Sequence, residues 1–226
     1  MRLRIHRFLP YTRVEGPGER ACIWVQGCPI RCSGCAVPWT WPEHGGQEID
    51  VAELAHKILT GPPIEGVTFV GGEPFAQAEA LAELGRTVKA AGLSVVTFTG
   101  YVLEKILRSP RPGWHDLLAV TDLLIDGPFK RDLLDTSRPW VGSSNQRYHF
   151  LTERYRHLKD HLEQIPNRIE VRIGPDGSVL INGLAPSDDI WYLAGNMLQK
   201  AESSTTLGGS CSSTNDDLTN RDEQRS

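Results

Sequence analysis

The sequence predicts an α/β fold: repeated βα units around a parallel sheet, followed by a small α+β extension and a disordered tail. Three observations predict it. Short apolar runs rich in β-branched residues alternate with amphipathic helical stretches as far as about residue 150. The unusual short sequences all follow the C-terminal ends of the predicted strands. Beyond residue 150 the alternation stops, and residues 202–226 are Ser-, Thr-, Asp-, Asn- and Gly-rich with few apolar side chains.

Taken in order, Ala21-Cys-Ile-Trp-Val-Gln26 reads as a buried strand. It ends at Gly27, and a cysteine-rich loop follows directly. Asp50 opens a helix, with Glu53 three residues on completing a capping box. Val51, Leu54, Ala55, Ile58 and Leu59 fall on one face, and Gly61-Pro62-Pro63 stops it. Gly66-Val-Thr-Phe-Val70 is the next strand, running into Gly71-Gly72-Glu73-Pro74. A helix from about 76 to 91 buries Leu81, Leu84 and Val88, and Gly92 stops it. Residues 93–98 form a strand, followed by Thr99-Gly100-Tyr101 and a short helix to about Leu107. Residues 122–125 form a further strand that enters Asp126-Gly127-Pro128-Phe129. Then come a helix over 152 to about 164, and two short strands, 168–173 and 178–182, around the hairpin turn Gly174-Pro-Asp-Gly177. A last helix covers 187–199. The domain reading is a core over 1–150, an extension over 151–201 and a tail over 202–226.

Composition narrows the function classes. In 226 residues with 39% hydrophobic and 23% charged side chains there is material for one good-sized soluble core. The net charge of −4 argues against nucleic-acid binding. No apolar run is long enough for a membrane span, and the first ten residues lack the apolar region of a signal peptide. A cytoplasmic location is expected.

The chemistry concentrates in the cysteines. Of five, four (Cys22, Cys28, Cys32 and Cys35) fall within 14 residues, and Cys211 stands apart in the polar tail. That distribution does not suit a disulfide framework. Cys28, Cys32 and Cys35, spaced C-x3-C-x2-C, suit an iron–sulfur cluster. Three ligands on a four-iron cluster leave one iron open to bind a substrate, which points to chemistry at the cluster rather than simple electron transfer. Gly27, Pro29 and Gly34 would let the loop curl and bring backbone amides near the sulfurs. Two other readings stand beside this one: a structural zinc site with Cys22 or His44 as fourth ligand, and a redox dithiol at Cys32 and Cys35. Cys22 lies within a predicted strand and reads as a small core residue. Taken singly, Gly71-Gly72-Glu73-Pro74 and Asp126-Gly127 are equally ordinary turns, and 142–147 is either a solvated loop or a ligand-contacting segment. Their convergence with the cysteine loop and Thr99 on one rim of the sheet is the stronger signal, because α/β folds place active sites there.

In order along the chain, Glu15-Gly-Pro-Gly18 with Arg20, the cysteine motif, Trp39-Thr-Trp41, Gly71-Gly-Glu-Pro74, Thr99-Gly-Tyr101, Asp126-Gly-Pro-Phe129 and Gly142-Ser-Ser-Asn-Gln-Arg147 together resemble the radical S-adenosylmethionine superfamily. The resemblance is to its glycyl-radical-enzyme activating branch and covers about residues 15–150. It implies a partial (βα) barrel. It implies that Cys28, Cys32 and Cys35 ligate a 4Fe–4S cluster whose open iron chelates S-adenosylmethionine. It further implies that Gly71, Gly72, Glu73 and Pro74 hold the methionine amino end, and that Thr99 and Asp126 lie near the methionine or ribose portion. Reductive cleavage would give a 5′-deoxyadenosyl radical that takes hydrogen from a glycine of a partner, with anaerobic ribonucleoside-triphosphate reductase as the implied partner and a flavodoxin-type protein as electron donor. The chain departs from many relatives in having Pro128 where they carry a lysine; the nearest basic residues are Lys130 and Arg131. A radical enzyme acting on a small molecule or peptide is the alternative, with the extension closing its pocket.

Overall fold

The computed structural model describes residues 1–185. Seven strands, β1 (Arg2–Thr12), β2 (Arg20–Val25), β3 (Gln47–Asp50), β4 (Gly66–Gly71), β5 (Ser94–Phe98), β6 (Leu123–Asp126) and β7 (Arg147–Phe150), make one sheet in the order β3-β1-β2-β4-β5-β6-β7. Its centre is the predicted parallel run, β2 to β4 to β5 to β6. All six residues of β2 are buried, as expected for a parallel strand covered on both faces. Such strands read as continuous apolar runs, which is why they are legible in sequence.

The antiparallel margins were not predicted. β1 pairs with β2 and with β3. Its alternation is real, since Leu3 and Ile5 are fully buried while Arg2 is exposed. Breaks in register with β2 between Ile5 and Arg7, and between Leu9 and Thr12, blur that alternation. At the other margin β7 pairs with β6, setting Asp126 opposite Arg147.

Helices α1 (Val51–Leu59), α2 (Ala78–Ala90), α3 (Leu103–Leu107) and α4 (Pro112–Val120) follow the strands. Asp50 caps α1 by accepting from the Ala52 and Glu53 N–H groups. A short 3₁₀ turn, Pro74–Gln77, precedes α2. The helix α4 was missed, although Pro112 in its first turn is a start signal and Trp114, Leu117 and Val120 are buried. The main core lies between these helices and one face of the sheet, with Ile23, Phe69, Leu81, Leu84 and Leu117 among its fully buried members.

The other face carries two smaller clusters: Leu9, Cys22 and Trp24, and Val96, Leu123, Ile125, Val141 and Tyr155. Cys22 is fully buried there. The expected helix over 152–164 is instead two 3₁₀ segments, Glu153–Leu158 and Leu162–Gln164. Tyr155, Leu158 and Leu162 have helical spacing, but Tyr155 alone among these two segments is buried. Its hydroxyl reaches Arg20 Nη1 and Ser94 Oγ, both at 2.6 Å. Arg20 is itself fully buried and also donates to Thr68 Oγ1 and to the Pro17 and Val67 carbonyls. That anchorage, rather than an apolar stripe, sets the backbone here.

The predicted hairpin is present as β8 (Ile169–Ile173) and β9 (Val179–Gly183). It docks on the end of β1 and the Glu15 loop. Glu170 accepts from Thr12 Oγ1 and Arg13 N, both at 2.8 Å, and Glu15 Oε1 accepts from Gly183 N at 3.0 Å. Residues 1–185 form one compact unit. The expected helix over 187–199, Cys211, and the rest of the tail lie outside the described residues.

Candidate active site

The loop after β2 is built to curl. Gly27 and Gly34 have φ of 95° and 77°, and Arg31, without a glycine's freedom, has φ of 52°. Its return is pinned to its start: Gly27 N donates to Thr40 O at 2.8 Å and Cys28 N to Trp41 O at 3.0 Å. Gln26 Nε2 holds the Trp39 and Pro42 carbonyls. The turn after β4 is bonded to the same loop, with Gly72 N donating to Val25 O and Glu73 N to Gly27 O, both at 2.9 Å.

These loops enclose a cavity of about 170 Å³. Cys28, Cys32, Cys35, Gly71, Gly72, Glu73, Pro74 and Thr99 all line it, as do Gly127, Phe129 and Gln146. The three cysteines are half-buried and free. Burial pushes the thiols of Cys28 and Cys32 up. Backbone N–H groups oppose this, those of Arg31 and Ile30 at Cys28 and that of Phe129 at Cys32. Val37 N donates to Cys35 Sγ at 3.5 Å. Amides aimed at sulfur favour thiolate and are the contacts that tune an iron–sulfur cluster.

The donor set fits such a cluster. The cavity offers three soft sulfur ligands, and its carboxylate, Glu73, is engaged elsewhere. Glu73 Oε1 accepts from Phe75 N and Thr99 Oγ1, and Oε2 from Gly100 N, at 2.8–2.9 Å. Among the described residues no three Cys, His, Asp or Glu side chains converge as ligands of a single ion. The thiols are spread around one cavity instead, and a cluster gives each cysteine a separate iron. Glu73 is almost fully buried, and that burial pushes its carboxyl up to about 7 against the pull of its hydrogen bonds.

Asp126 is placed differently from its neighbours. It is fully buried and is not among the cavity-lining residues; Gly127 takes that position. Its carboxylate accepts from Leu103 N at 2.6 Å and from Arg147 Nε and Nη2 at 3.0 and 2.6 Å, with His149 Nε2 at 3.0 Å. Burial works to raise its carboxyl, but the neighbouring His149 and the bonds from Arg147 and Leu103 hold it down at about 2. It ties the end of β6 to the start of α3 and to β7. Of the two basic residues near Pro128, Arg131 reaches the cysteine loop, where its Cδ lies 3.3 Å from the position of a Cβ on Gly34. Ile30 and Phe98 also line the cavity and went unrecognised. Their only signals are position, one between two cysteines and one just before Thr99.

A sheet with a parallel centre whose rim loops gather three free thiols around one cavity offers the donor set that an iron–sulfur cluster takes. The chain belongs to the 4Fe-4S single cluster domain family, whose model matches residues 14–149, and within it to the radical S-adenosylmethionine activating enzymes. It is similar to the anaerobic ribonucleoside-triphosphate reductase-activating protein of Salmonella typhimurium, with 31% identity over 158 residues, 66% of this chain and 99% of that protein. The protein of the same name from Enterobacteria phage T4 is 34% identical over 148 residues, 62% of this chain and 90% of that one. Pyruvate formate-lyase-activating enzyme of Clostridium pasteurianum is 38% identical over 128 residues, covering 54% and 50%. The cofactors are a 4Fe–4S cluster and S-adenosylmethionine.

Two glycines test how tightly the wall is built. A Cβ on Gly72 would lie 2.4 Å from Gly27 O, a backbone atom of the cysteine loop. A Cβ on Gly100 would lie 2.6 Å from Ile30 Cδ1, the free end of a side chain. Gly72→Ala is therefore expected to lower S-adenosylmethionine cleavage at least about tenfold, the scale of a misplaced reacting group. Gly100→Ala should stay within about threefold, since a rotamer change of Ile30 relieves it. Assays of 5′-deoxyadenosine release on both variants check this; equal losses would refute it.

Proposed function

We propose that this protein generates a glycyl radical on a partner enzyme, and that the partner is an anaerobic ribonucleoside-triphosphate reductase. One observation carries the reading: three free thiols and the Gly71-Gly72-Glu73-Pro74 turn share a single cavity wall. The reading is further supported by similarity to reductase-activating proteins over almost their whole length. When bound, the cluster and S-adenosylmethionine supply the one-electron cleavage that makes a 5′-deoxyadenosyl radical able to take hydrogen from glycine.

The chain's own part is ligation, positioning and exclusion of water. Cys28, Cys32 and Cys35 hold the cluster. The turn at 71–74 receives the methionine amino end, and Thr99 fixes that turn through Glu73 Oε1. Ile30, Trp41, Phe98 and Phe129 give the cavity an apolar wall, which keeps water from the reacting bond. Asp126 acts through the loops it braces. We read the sheet as the partial barrel of this family, with the core over 1–150, and 151–201 as an extension; the family match ends at residue 149. A flavodoxin-type protein is the electron donor we propose. A cytoplasmic location goes with that partner set; among the described residues no helix is long and apolar enough to cross a membrane.

The test is anaerobic co-incubation of the reconstituted protein with the reductase, S-adenosylmethionine and a reductant, read by electron paramagnetic resonance. A glycyl radical signal on the reductase is expected. Cofactor cleavage that proceeds with no such signal would overturn the partner assignment and favour a small-molecule or peptide substrate.

A further inference from the structure

Two tryptophans follow the cysteines in sequence, and the fold sends them apart. Trp39 is 58% exposed, whereas the Trp41 ring lines the cavity with Cys28, Cys32 and Cys35. The Trp41 backbone is held on both sides. Its N–H donates to Pro38 O at 3.1 Å, and its carbonyl accepts from Cys28 N at 3.0 Å. The flanking carbonyls of Trp39 and Pro42 accept from the buried Gln26 Nε2 at 3.2 and 2.8 Å. The base of the side chain is thus fixed to the start of the cysteine loop.

Trp41 Nε1 is buried and has no hydrogen-bond partner. A buried indole N–H ordinarily finds an acceptor, and leaving it unpaired is costly. Among the described residues, Trp41 is the only one that both lines this cavity and holds such an unpaired atom. The side-chain oxygens around it are already engaged. Glu73 accepts from Phe75 N, Thr99 Oγ1 and Gly100 N. Thr99 Oγ1 accepts from Tyr101 N, and Gln146 Oε1 from Gly142 N and Ser143 N. The wall therefore presents a donor whose acceptor comes with the cofactors.

We propose that Trp41 is a cofactor-binding residue, whose indole N–H donates to an anionic acceptor in the cavity: a sulfur of the cluster or the carboxylate of S-adenosylmethionine. This rests on the reading of the cavity as the cluster site. A hydrogen bond to a charged acceptor is stronger than one between neutral groups. On a cluster sulfur it favours the reduced state and raises the potential. On the carboxylate it tightens S-adenosylmethionine binding instead.

The test is electron–nuclear double resonance on the reduced, cluster-loaded protein, produced with tryptophan labelled at the indole nitrogen. A nitrogen coupling is expected that Trp41→Phe lacks, since phenylalanine keeps a ring in the wall and drops the donor. Trp39→Phe should keep it. A coupling present before S-adenosylmethionine is added assigns the sulfur; one that appears only afterwards assigns the carboxylate. With sulfur as acceptor, Trp41→Phe lowers the reduced-to-oxidised ratio at fixed solution potential about tenfold, or about 59 mV for one electron. With the carboxylate, the potential stays and the Kd for S-adenosylmethionine rises about tenfold, the scale of a lost outer contact. A loaded cluster with no coupling in either state, or a coupling that survives Trp41→Phe, would overturn the proposal. So would wild-type potential and affinity together in that variant. If Trp41→Phe loads no cluster, Trp24→Phe and Trp39→Phe decide: a coupling kept in both assigns it to Trp41, and its loss in either refutes that. A wild-type chain that loads no cluster sinks the functional reading along with this one, whereas a loaded cluster without the coupling sinks this one alone.

Discussion

Serine at position 28, 32 or 35 is expected to abolish S-adenosylmethionine cleavage. The loss should exceed about 100-fold, the upper range for changes that only disturb a ligand's outer partners. A serine hydroxyl is a hard, weakly acidic donor that does not replace thiolate on iron. No substitute is close at hand. The Glu73 carboxylate already accepts three hydrogen bonds. Cys22 is fully buried with Leu9 and Trp24, and burial pushes its thiol well up. Cys22→Ala thus makes the counter-test: about 1 kcal/mol of lost packing, with cleavage intact. Iron and sulfide content, the spectrum of the reduced cluster and 5′-deoxyadenosine yield measure both. A serine variant that keeps cluster and cleavage would show that its cysteine is not a ligand.

Why the cysteine rim was legible and its supports were not follows from range. Parallel strands buried on both faces appear as apolar runs, and a turn at each end marks where a loop reaches the rim. Cys28 to Cys35 and residues 71–74 are local signals of that kind. Asp126 also sits at a strand end, so sequence placed it in the site with them. Its true partner, Arg147, lies 21 residues on and meets it only through the β6–β7 register, which nothing near Asp126 announces. The same applies to Asn145 and Gln146, whose carbonyl partners at 127 and 128 belong to another loop. The strand β1 was hidden for a different reason: its breaks in register interrupt the period of two. The segment after Thr152 offered helical spacing, but the side chain that decides its course, Tyr155, answers to the buried Arg20 far away in sequence.

Glu73 joins the two loops that meet at the cavity, and its titration is expected to change how firmly they hold. In the cofactor-free chain, burial raises its carboxyl from the ordinary 4.5 to about 7. Between those values the folded chain keeps a proton that the unfolded chain has released. Stability therefore falls as pH rises through this window and levels off above 7. The span corresponds to roughly 3 kcal/mol, a large part of the 5–15 kcal/mol typical of a folded domain. Below about 4.5 both states hold the proton and the contribution is complete. Glu73→Gln removes the titration. It keeps an acceptor for Phe75 N and Thr99 Oγ1 but turns an amide towards Gly100 N, at a cost of about 1–3 kcal/mol. Denaturant unfolding of both chains at pH 5 and pH 8 is the measurement. Wild type should lose roughly 3 kcal/mol more than the variant between the two pH values, so that the variant's disadvantage at pH 5 shrinks or disappears at pH 8. Equal pH slopes in the two chains would mean that Glu73 ionises at its ordinary pH in the fold. The tie between the loops after β4 and β5 would then be an ionised carboxylate at every working pH, and the cavity wall would not loosen on crossing neutrality.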